Sequence, residues 1–274
     1  MFRDAVKAAA IVTALVLAPS HAAADAARLF EAIGMPRIIE VMREEGLGYG
    51  ETIRDDLLNG GGGASWTAAI STIYDAETMR SRMFDGFEAR LDGIDVEPLV
   101  RFFESDRGQR IVEAEVAVRR AFLDDAVEDA AGLALMDLRV NDPDRFALLE
   151  AFVEANDLVE SNVMGAMNSN FAFYTGLMSG HAFDDTLTEQ QILSDVWSQE
   201  DSIRTDTEDW VFAYLGLAYD TLSDADLEAY IELSRTVEGR AMNRALFASF
   251  NDVFVDISHR LGAEAARFLV GRDI

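Results

Sequence analysis

Cysteine, lysine and proline are scarce in this chain of 274 residues. It contains no cysteine and four prolines, and Lys7 is its single lysine. Because the chain has no cysteine, it forms no disulfide and has no thiolate nucleophile. Apart from Lys7, it has no lysine that could form a Schiff base. Stability must therefore come from a hydrophobic core, which a chain of about 250 residues is long enough to build.

Positive charge is also scarce, because the formal net charge is -27. The segment before residue 25 carries Arg3 and Lys7 against Asp4, so its removal leaves -28. A surface of this charge repels nucleic acid and anionic lipid. We therefore expect no nucleic-acid partner.

The first 24 residues have the three parts of a secretory signal peptide. Arg3 and Lys7 precede an apolar run of eleven residues at 8–18, and an A-x-A site follows at Ala22 and Ala24. The run is shorter than the roughly 20 residues that span a bilayer. We expect cleavage after Ala22 or Ala24 and a periplasmic or secreted protein with no transmembrane segment after cleavage. The alternative is an N-terminal anchor helix.

The spacing of apolar residues predicts an all-α fold, a multi-helix bundle. Apolar positions recur at three and four along the chain, and no convincing run of alternating β-branched residues appears. The strongest stripe has steps of 4, 4, 3, 4 and 4 near the C-terminus and predicts a core helix. Its members are Met242, Leu246, Phe250, Val253, Ile257 and Leu261.

A helix boundary is predicted near the middle of the chain, at "VNDPDRF", residues 140–146. Asp142 or Asp144 can cap a new helix beside Pro143. This boundary divides the chain into a first helical repeat, 25–140, and a second, 141–274, which we expect to share one continuous core.

Two similar interruptions support the interpretation as repeats. "FFESDRGQRI" begins at residue 102 and "ELSRTVEGRA" at residue 232, and a shift of 131 residues places Ser105 on Thr236 and Gly108 on Gly239. We predict that Ser105 and Thr236 are N-caps. Glycine in the first turn costs about 0.5–1 kcal/mol relative to alanine. Close passage of another helix or backbone segment would explain why glycine is present in spite of this cost. The alternative is a ligand group that binds the exposed amides.

The first of these segments lies in "DVEPLVRFFESDRGQRI", residues 95–111, which resembles a bacterial secreted family, domain of unknown function 2059. Asp106 stands where that family usually has proline. A looser second copy lies near 223–254. The resemblance implies a small helical envelope domain behind a signal peptide and no established activity. The residues that match the family pattern are Glu97, Phe102, Phe103, Ser105, Gly108, Gln109 and Arg110.

One long stretch, residues 161–183, contains no Asp, Glu, Lys or Arg. It predicts a central helix surrounded by the others. The alternative is the lining of an apolar groove, because soft and aromatic side chains suit an adaptable apolar ligand or a partner helix. The candidate groove residues are Met164, Met167, Phe171, Tyr174 and Met178.

Catalytic motifs are missing: there is no H-E-x-x-H, no G-x-S-x-G, no EF-hand loop and no Walker loop. Two Asp-His pairs, Asp256 with His259 and His181 with Asp184, could form a metal site only if they met in space. The acidic run 124–129 predicts a solvated face, with weak calcium binding as the alternative.

From these observations we expect no cofactor and no catalysis. The predicted role is binding of a protein partner or an apolar small molecule in the cell envelope. The alternative is a metal-dependent hydrolase that uses His181 and His259 with nearby carboxylates.

Overall fold

The structure, a computed structural model, describes residues 21–182 and 188–271. Within these residues there are thirteen α-helices and no strand, so the predicted all-α fold is confirmed. The helices are α1 (His21–Ala32), α2 (Met35–Asp56), α3 (Gly63–Ile73), α4 (Ala76–Arg90), α5 (Glu97–Phe103), α6 (Asp106–Ala121), α7 (Asp125–Asn141), α8 (Pro143–Asn156), α9 (Leu158–Ser179), α10 (Glu189–Trp197), α11 (Glu200–Tyr219), α12 (Asp224–Ser234) and α13 (Val237–Val270).

The predicted signal segment lies mostly outside the described residues, which begin at His21. Both expected cleavage positions, after Ala22 and after Ala24, fall in the first turn of α1. Further along that helix, Leu29 and Phe30 are buried in the core. The signal peptide stays a prediction. In the part of the chain that the structure describes, no helix combines the length and apolar character needed to cross a membrane.

The predicted boundary in the middle of the chain is present. Helix α7 ends at Asn141 and α8 begins at Pro143. Between them, the Asp142 carboxylate caps α8 by accepting a 3.1 Å hydrogen bond from the amide of Arg145. Proline is tolerated in this first turn because its missing N–H would have had no helical partner.

The two predicted N-caps are also present. The hydroxyl of Ser105 accepts a 3.1 Å hydrogen bond from the amide of Gly108 at the start of α6. The hydroxyl of Thr236 accepts one of 2.9 Å from the amide of Gly239 at the start of α13. Each cap thus satisfies one of the amides that a helix start leaves without a partner.

The two glycines after these caps face the end of the preceding helix. A Cβ atom on Gly108 would lie 2.1 Å from the carbonyl oxygen of Phe102 in α5. On Gly239, it would lie 2.0 Å from the carbonyl oxygen of Leu233 in α12. Glycine is therefore required because the chain turns back on its own backbone, not because a helix distant in sequence crosses there.

Three hydrophobic clusters form the core. The first joins helices of the N-terminal half, α1 to α5, to α13. The second joins α6, α7, α8, α11 and α12, and a smaller third cluster joins α9 to α10. Phe102 and Tyr230 pack against both of the first two clusters. The first cluster draws on both sides of residue 140; the division into repeats 25–140 and 141–274 stays a prediction.

Helices α9 and α13 cross with their backbones almost in contact. A Cβ atom on Gly176 would lie 2.2 Å from the carbonyl oxygen of His259, and one on Gly262 would lie 2.0 Å from that of Phe173. Any larger residue at either position would push the two helices apart. This crossing fixes which face of α9 is turned toward the centre of the bundle.

Candidate functional site

A cavity of about 540 Å³ lies where the first two hydrophobic clusters meet. Its walls come mainly from α2, α9, α11 and α13, with two side chains each from α6 and α8 and one each from α5 and α12. Pockets of roughly 300–1,000 Å³ are the size that takes a small organic molecule. The cavity is therefore the candidate site.

Most of the wall is apolar. Helix α13 contributes Leu246 and Phe250, which belong to the stripe predicted from the sequence, together with Phe254. Ile38 and Met42 of α2 contribute aliphatic surface. Three members of the same α13 stripe, Val253, Ile257 and Leu261, are buried in the core itself. The long last helix thus serves both as core and as cavity wall.

Helix α9 lines the cavity with small side chains. Ser161, Gly165 and Ser169, spaced by four residues, all face it, and Ala166 lies beside them. A Cβ atom on Gly165 would meet no other atom within 4 Å. Part of the uncharged stretch thus lies at the cavity wall, where its short side chains leave room.

The five predicted groove residues lie elsewhere. Met167, Phe171 and Met178 belong to the third cluster and pack toward α10. Met164 is exposed to solvent. Tyr174 lines a neighbouring pocket. None of the five lines the candidate cavity, because they occupy other faces of α9.

One carboxylate, that of Glu115 in α6, lies among the apolar walls. Its Oε1 accepts a 2.6 Å hydrogen bond from the hydroxyl of Tyr219. The hydroxyl of Tyr214 donates to the backbone carbonyl oxygen of Glu115 at 2.9 Å. Loss of hydration raises the pKa of Glu115 to about 7, and the bond from Tyr219 opposes that rise only in part. Burial likewise raises the pKa of Tyr219.

The single arginine of the cavity, Arg119, is already engaged. Its Nη2 lies 2.6 Å from Oε2 of Glu45, and its guanidinium lies 5.3 Å from the centre of the Trp210 ring. Its Nε is buried without a hydrogen-bond partner. The charge of Arg119 is thus balanced by Glu45, although Glu115 is only one helical turn away. Among the described residues Glu115 forms no ion pair.

His181 and His259, the two predicted metal ligands, are exposed, and the cavity lining includes neither of them. Asp256, the predicted partner of His259, pairs instead with Arg82. Asp184, the predicted partner of His181, lies outside the described residues. In the ranges 21–182 and 188–271, no three histidine or carboxylate side chains are arranged to hold a metal ion.

Comparison with protein families gives one match. Residues 77–137 match the family described as "Uncharacterized protein conserved in bacteria (DUF2059)". The predicted resemblance is confirmed. The DUF2059 segment runs from α4 into α7, so it contains the junction between α5 and α6 and also Glu115 and Arg119. Comparisons with curated proteins and with solved structures gave no match.

The tyrosines around Glu115 lie outside the DUF2059 segment. Tyr214 and Tyr219 are in α11, and Tyr230 is in α12. The site therefore forms only where the matched segment packs against the C-terminal half of the chain.

Proposed function

We propose that the protein binds an apolar small molecule in the cavity and does not catalyse a reaction on it. The observation that carries this proposal is the cavity itself: about 540 Å³ of space walled by aromatic and aliphatic side chains at the junction of two core clusters. The cavity is partly open to solvent, so its apolar walls are in contact with water. A ligand that covers these walls would remove apolar surface from water, which favours binding.

The chemistry of the walls supports binding without catalysis. General acid-base and nucleophilic mechanisms place a nucleophile and a base within hydrogen-bond reach of each other. Here the hydroxyl within reach of Glu115 is that of Tyr219, whose pKa is raised by burial, so it stays protonated and is a poor nucleophile. Arg119 is paired with Glu45. A hydrolase that uses His181 and His259 has less support, since the described residues provide no metal-binding group around either histidine.

The proposed location is the periplasm or the extracellular space. The basic residues, apolar run and A-x-A site of the first 24 residues support it. N-terminal sequencing of the protein from its own host should find Ala23 or Asp25 first. A chain that still begins with Met1 would contradict export by cleavage.

The proposed architecture is two helical repeats. The α5–α6 and α12–α13 junctions support it. Each has a hydroxyl cap and a glycine three residues later. A Cβ atom added to either glycine would lie within 2.1 Å of a carbonyl oxygen of the preceding helix. Superposition of residues 95–123 on 226–254 tests it. Two helix pairs that differ in their crossing angle would show that only the junction is shared.

A second candidate is binding of a protein partner on α7. Leu133, Met136 and Val140 lie on one face of this helix and are 70%, 65% and 77% exposed. Apolar side chains exposed together are typical of interaction surfaces. The double change Leu133→Ser and Met136→Ser should then abolish a complex seen by native mass spectrometry without changing the cavity.

The cavity proposal is tested by blocking the space. A leucine at position 165 would project into it, since a Cβ there meets nothing within 4 Å. We expect the wild-type protein to enhance the fluorescence of the neutral dye N-phenyl-1-naphthylamine, and Gly165→Leu to lose that enhancement. The matched control is Gly48→Leu, at an exposed helical glycine that also has open space at its Cβ and lies outside the cavity. Equal dye binding by both variants would contradict the proposal.

A further inference from the structure

Glu115 is the only acidic side chain that lines the cavity in the part of the chain the structure describes. One of its oxygens accepts from Tyr219, and no arginine of the described residues forms an ion pair with it. Transfer of a carboxylate from water into an apolar site is costly unless a positive charge or several hydrogen bonds compensate. Arg119 does not compensate, since Glu45 and the ring of Trp210 hold it.

Aromatic rings surround this carboxylate. Tyr214 and Tyr219 bond to Glu115 directly, and Tyr230 lies close enough to interact with its charge. The ring of Phe152 packs 5.3 Å from that of Tyr219 and 4.8 Å from that of Tyr230, between centres. The faces of aromatic rings attract cations, and rings grouped around a carboxylate form the setting in which ammonium groups are bound.

Resting on the proposed function, we propose that the ligand is an apolar molecule that carries one amine or quaternary ammonium group, and that this group binds against Glu115. A cationic group would supply the missing partner of the carboxylate, whereas a neutral molecule would leave it unpaired. An anionic molecule would meet Glu115 inside and a net charge of -27 outside.

Protonation of Glu115 supports the same assignment. Its pKa is raised to about 7 by loss of hydration, as expected for an acid held without a cation. The other groups that face it are the hydroxyls of Tyr214, Tyr219 and Tyr230, which burial keeps protonated, and Arg119 on its own helix. A bound cation should lower the pKa of Glu115 and release its proton.

The test compares three molecules with the same twelve-carbon chain: dodecyltrimethylammonium, 1-dodecanol and dodecyl sulfate. Each molecule is titrated against N-phenyl-1-naphthylamine bound to the wild-type protein, near pH 8 and below the concentration at which that molecule forms micelles. Salt above physiological strength screens the acidic surface. We expect the cation to bind about tenfold more tightly than the alcohol, and dodecyl sulfate to bind most weakly.

Glu115→Gln keeps the shape of the side chain and removes its charge. We expect this variant to lose the preference for the cation and to bind the alcohol at least as tightly as the wild-type protein does. The matched control is Glu113→Gln, which removes an exposed carboxylate from the same helix and should keep the preference for the cation. No preference in the wild-type protein, or a preference that survives Glu115→Gln, would overturn the proposal.

The wild-type protein alone gives a second readout, which does not depend on any variant folding. Affinity for dodecyltrimethylammonium should rise between about pH 6 and pH 8 as Glu115 loses its proton, while affinity for dodecanol should not rise. A cation affinity that is flat over this range would overturn the proposal. If Gly165→Leu leaves dye binding intact, the cavity function fails as a whole; if it blocks the dye and the cation shows no preference, only the assignment of charge fails.

Discussion

The hydroxyl of Tyr219 lies 2.6 Å from Oε1 of Glu115 and joins α11 to α6 inside the second hydrophobic cluster. Tyr214, one turn earlier on α11, donates to the backbone carbonyl oxygen of the same glutamate. The two bonds hold a partly buried carboxylate at the cavity wall. Its protonation is therefore linked to the stability of the fold.

Replacement of Glu115 by glutamine should remove a pH dependence of stability. The folded-state pKa of about 7 lies above the usual 4.5, so the folded protein binds this proton more tightly than the unfolded chain does. The contribution of Glu115 to stability is therefore full below about pH 4.5 and is lost as pH rises toward and past 7. We expect Glu115→Gln to gain up to about 3 kcal/mol relative to wild type between pH 4 and pH 8.

Urea unfolding at several pH values measures this difference. Glu113→Gln is the matched control, because Glu113 is exposed and pairs with Arg37 at the surface. A constant difference between Glu115→Gln and the wild-type protein over this pH range would show that Glu115 is hydrated in the folded state.

A second carboxylate, that of Asp226, should make stability depend on pH in the opposite direction. Asp226, at the start of α12, accepts a 2.7 Å hydrogen bond from Nε of Arg107 and one of 3.3 Å from Arg110. The bond from Arg107, followed by that from Ser223, lowers the pKa of Asp226 to about 2. The contribution of Asp226 to the free energy of unfolding is therefore present above about pH 4 and is lost as pH falls toward 2.

Asp226→Asn should destabilise the protein by about 1 kcal/mol at pH 7, since both arginines are partly exposed and water weakens the pair. Near pH 2 the variant and the wild-type protein should unfold at the same denaturant concentration. A loss that persists unchanged at low pH would show that the aspartate acts through its shape, not its charge.

Local features of the fold were predictable from the sequence because they depend on neighbouring residues. The caps at Ser105 and Thr236 and the break at Asp142 need only a few adjacent side chains. The cavity was not predictable, since several helices from both halves must meet to enclose it.

The sequence contains one signal of the site. Glu115 lies four residues after Ile111, three before Val118 and seven before Phe122, and these three apolar residues are buried. A glutamate within such an apolar stripe indicates a buried acid. Its partners Tyr214 and Tyr219 are about a hundred residues away, so the sequence alone could not place them.

The face of α9 that lines the cavity depends on the crossing at Gly176 and Gly262, so these glycines provide a further prediction. Gly262→Ala would place its Cβ 2.0 Å from the carbonyl oxygen of Phe173. We expect destabilisation of about 2–4 kcal/mol, and weaker dye binding as the helices separate. Gly132→Ala in α7 is the control: its Cβ meets nothing within 4 Å, so stability should hold or rise by about 0.5–1 kcal/mol. Equal melting of both variants would show that α9 and α13 move apart at no cost.

The junction between α5 and α6 should respond differently to the loss of its cap and to the loss of its glycine. Ser105→Ala removes one hydrogen bond to the amide of Gly108 and should cost about 1 kcal/mol. Gly108→Ala adds a single methyl group, which in an open helix would stabilise by about 0.5–1 kcal/mol. Here that methyl would lie 2.1 Å from the carbonyl oxygen of Phe102, and backbone cannot move aside as a flexible side chain can. We therefore expect Gly108→Ala to lower the melting temperature more than Ser105→Ala does, and Gly239→Ala to match it at the second junction. If Gly108→Ala melts at or above the wild-type temperature, the helix end is not fixed where the structure places it, and the glycine serves another purpose.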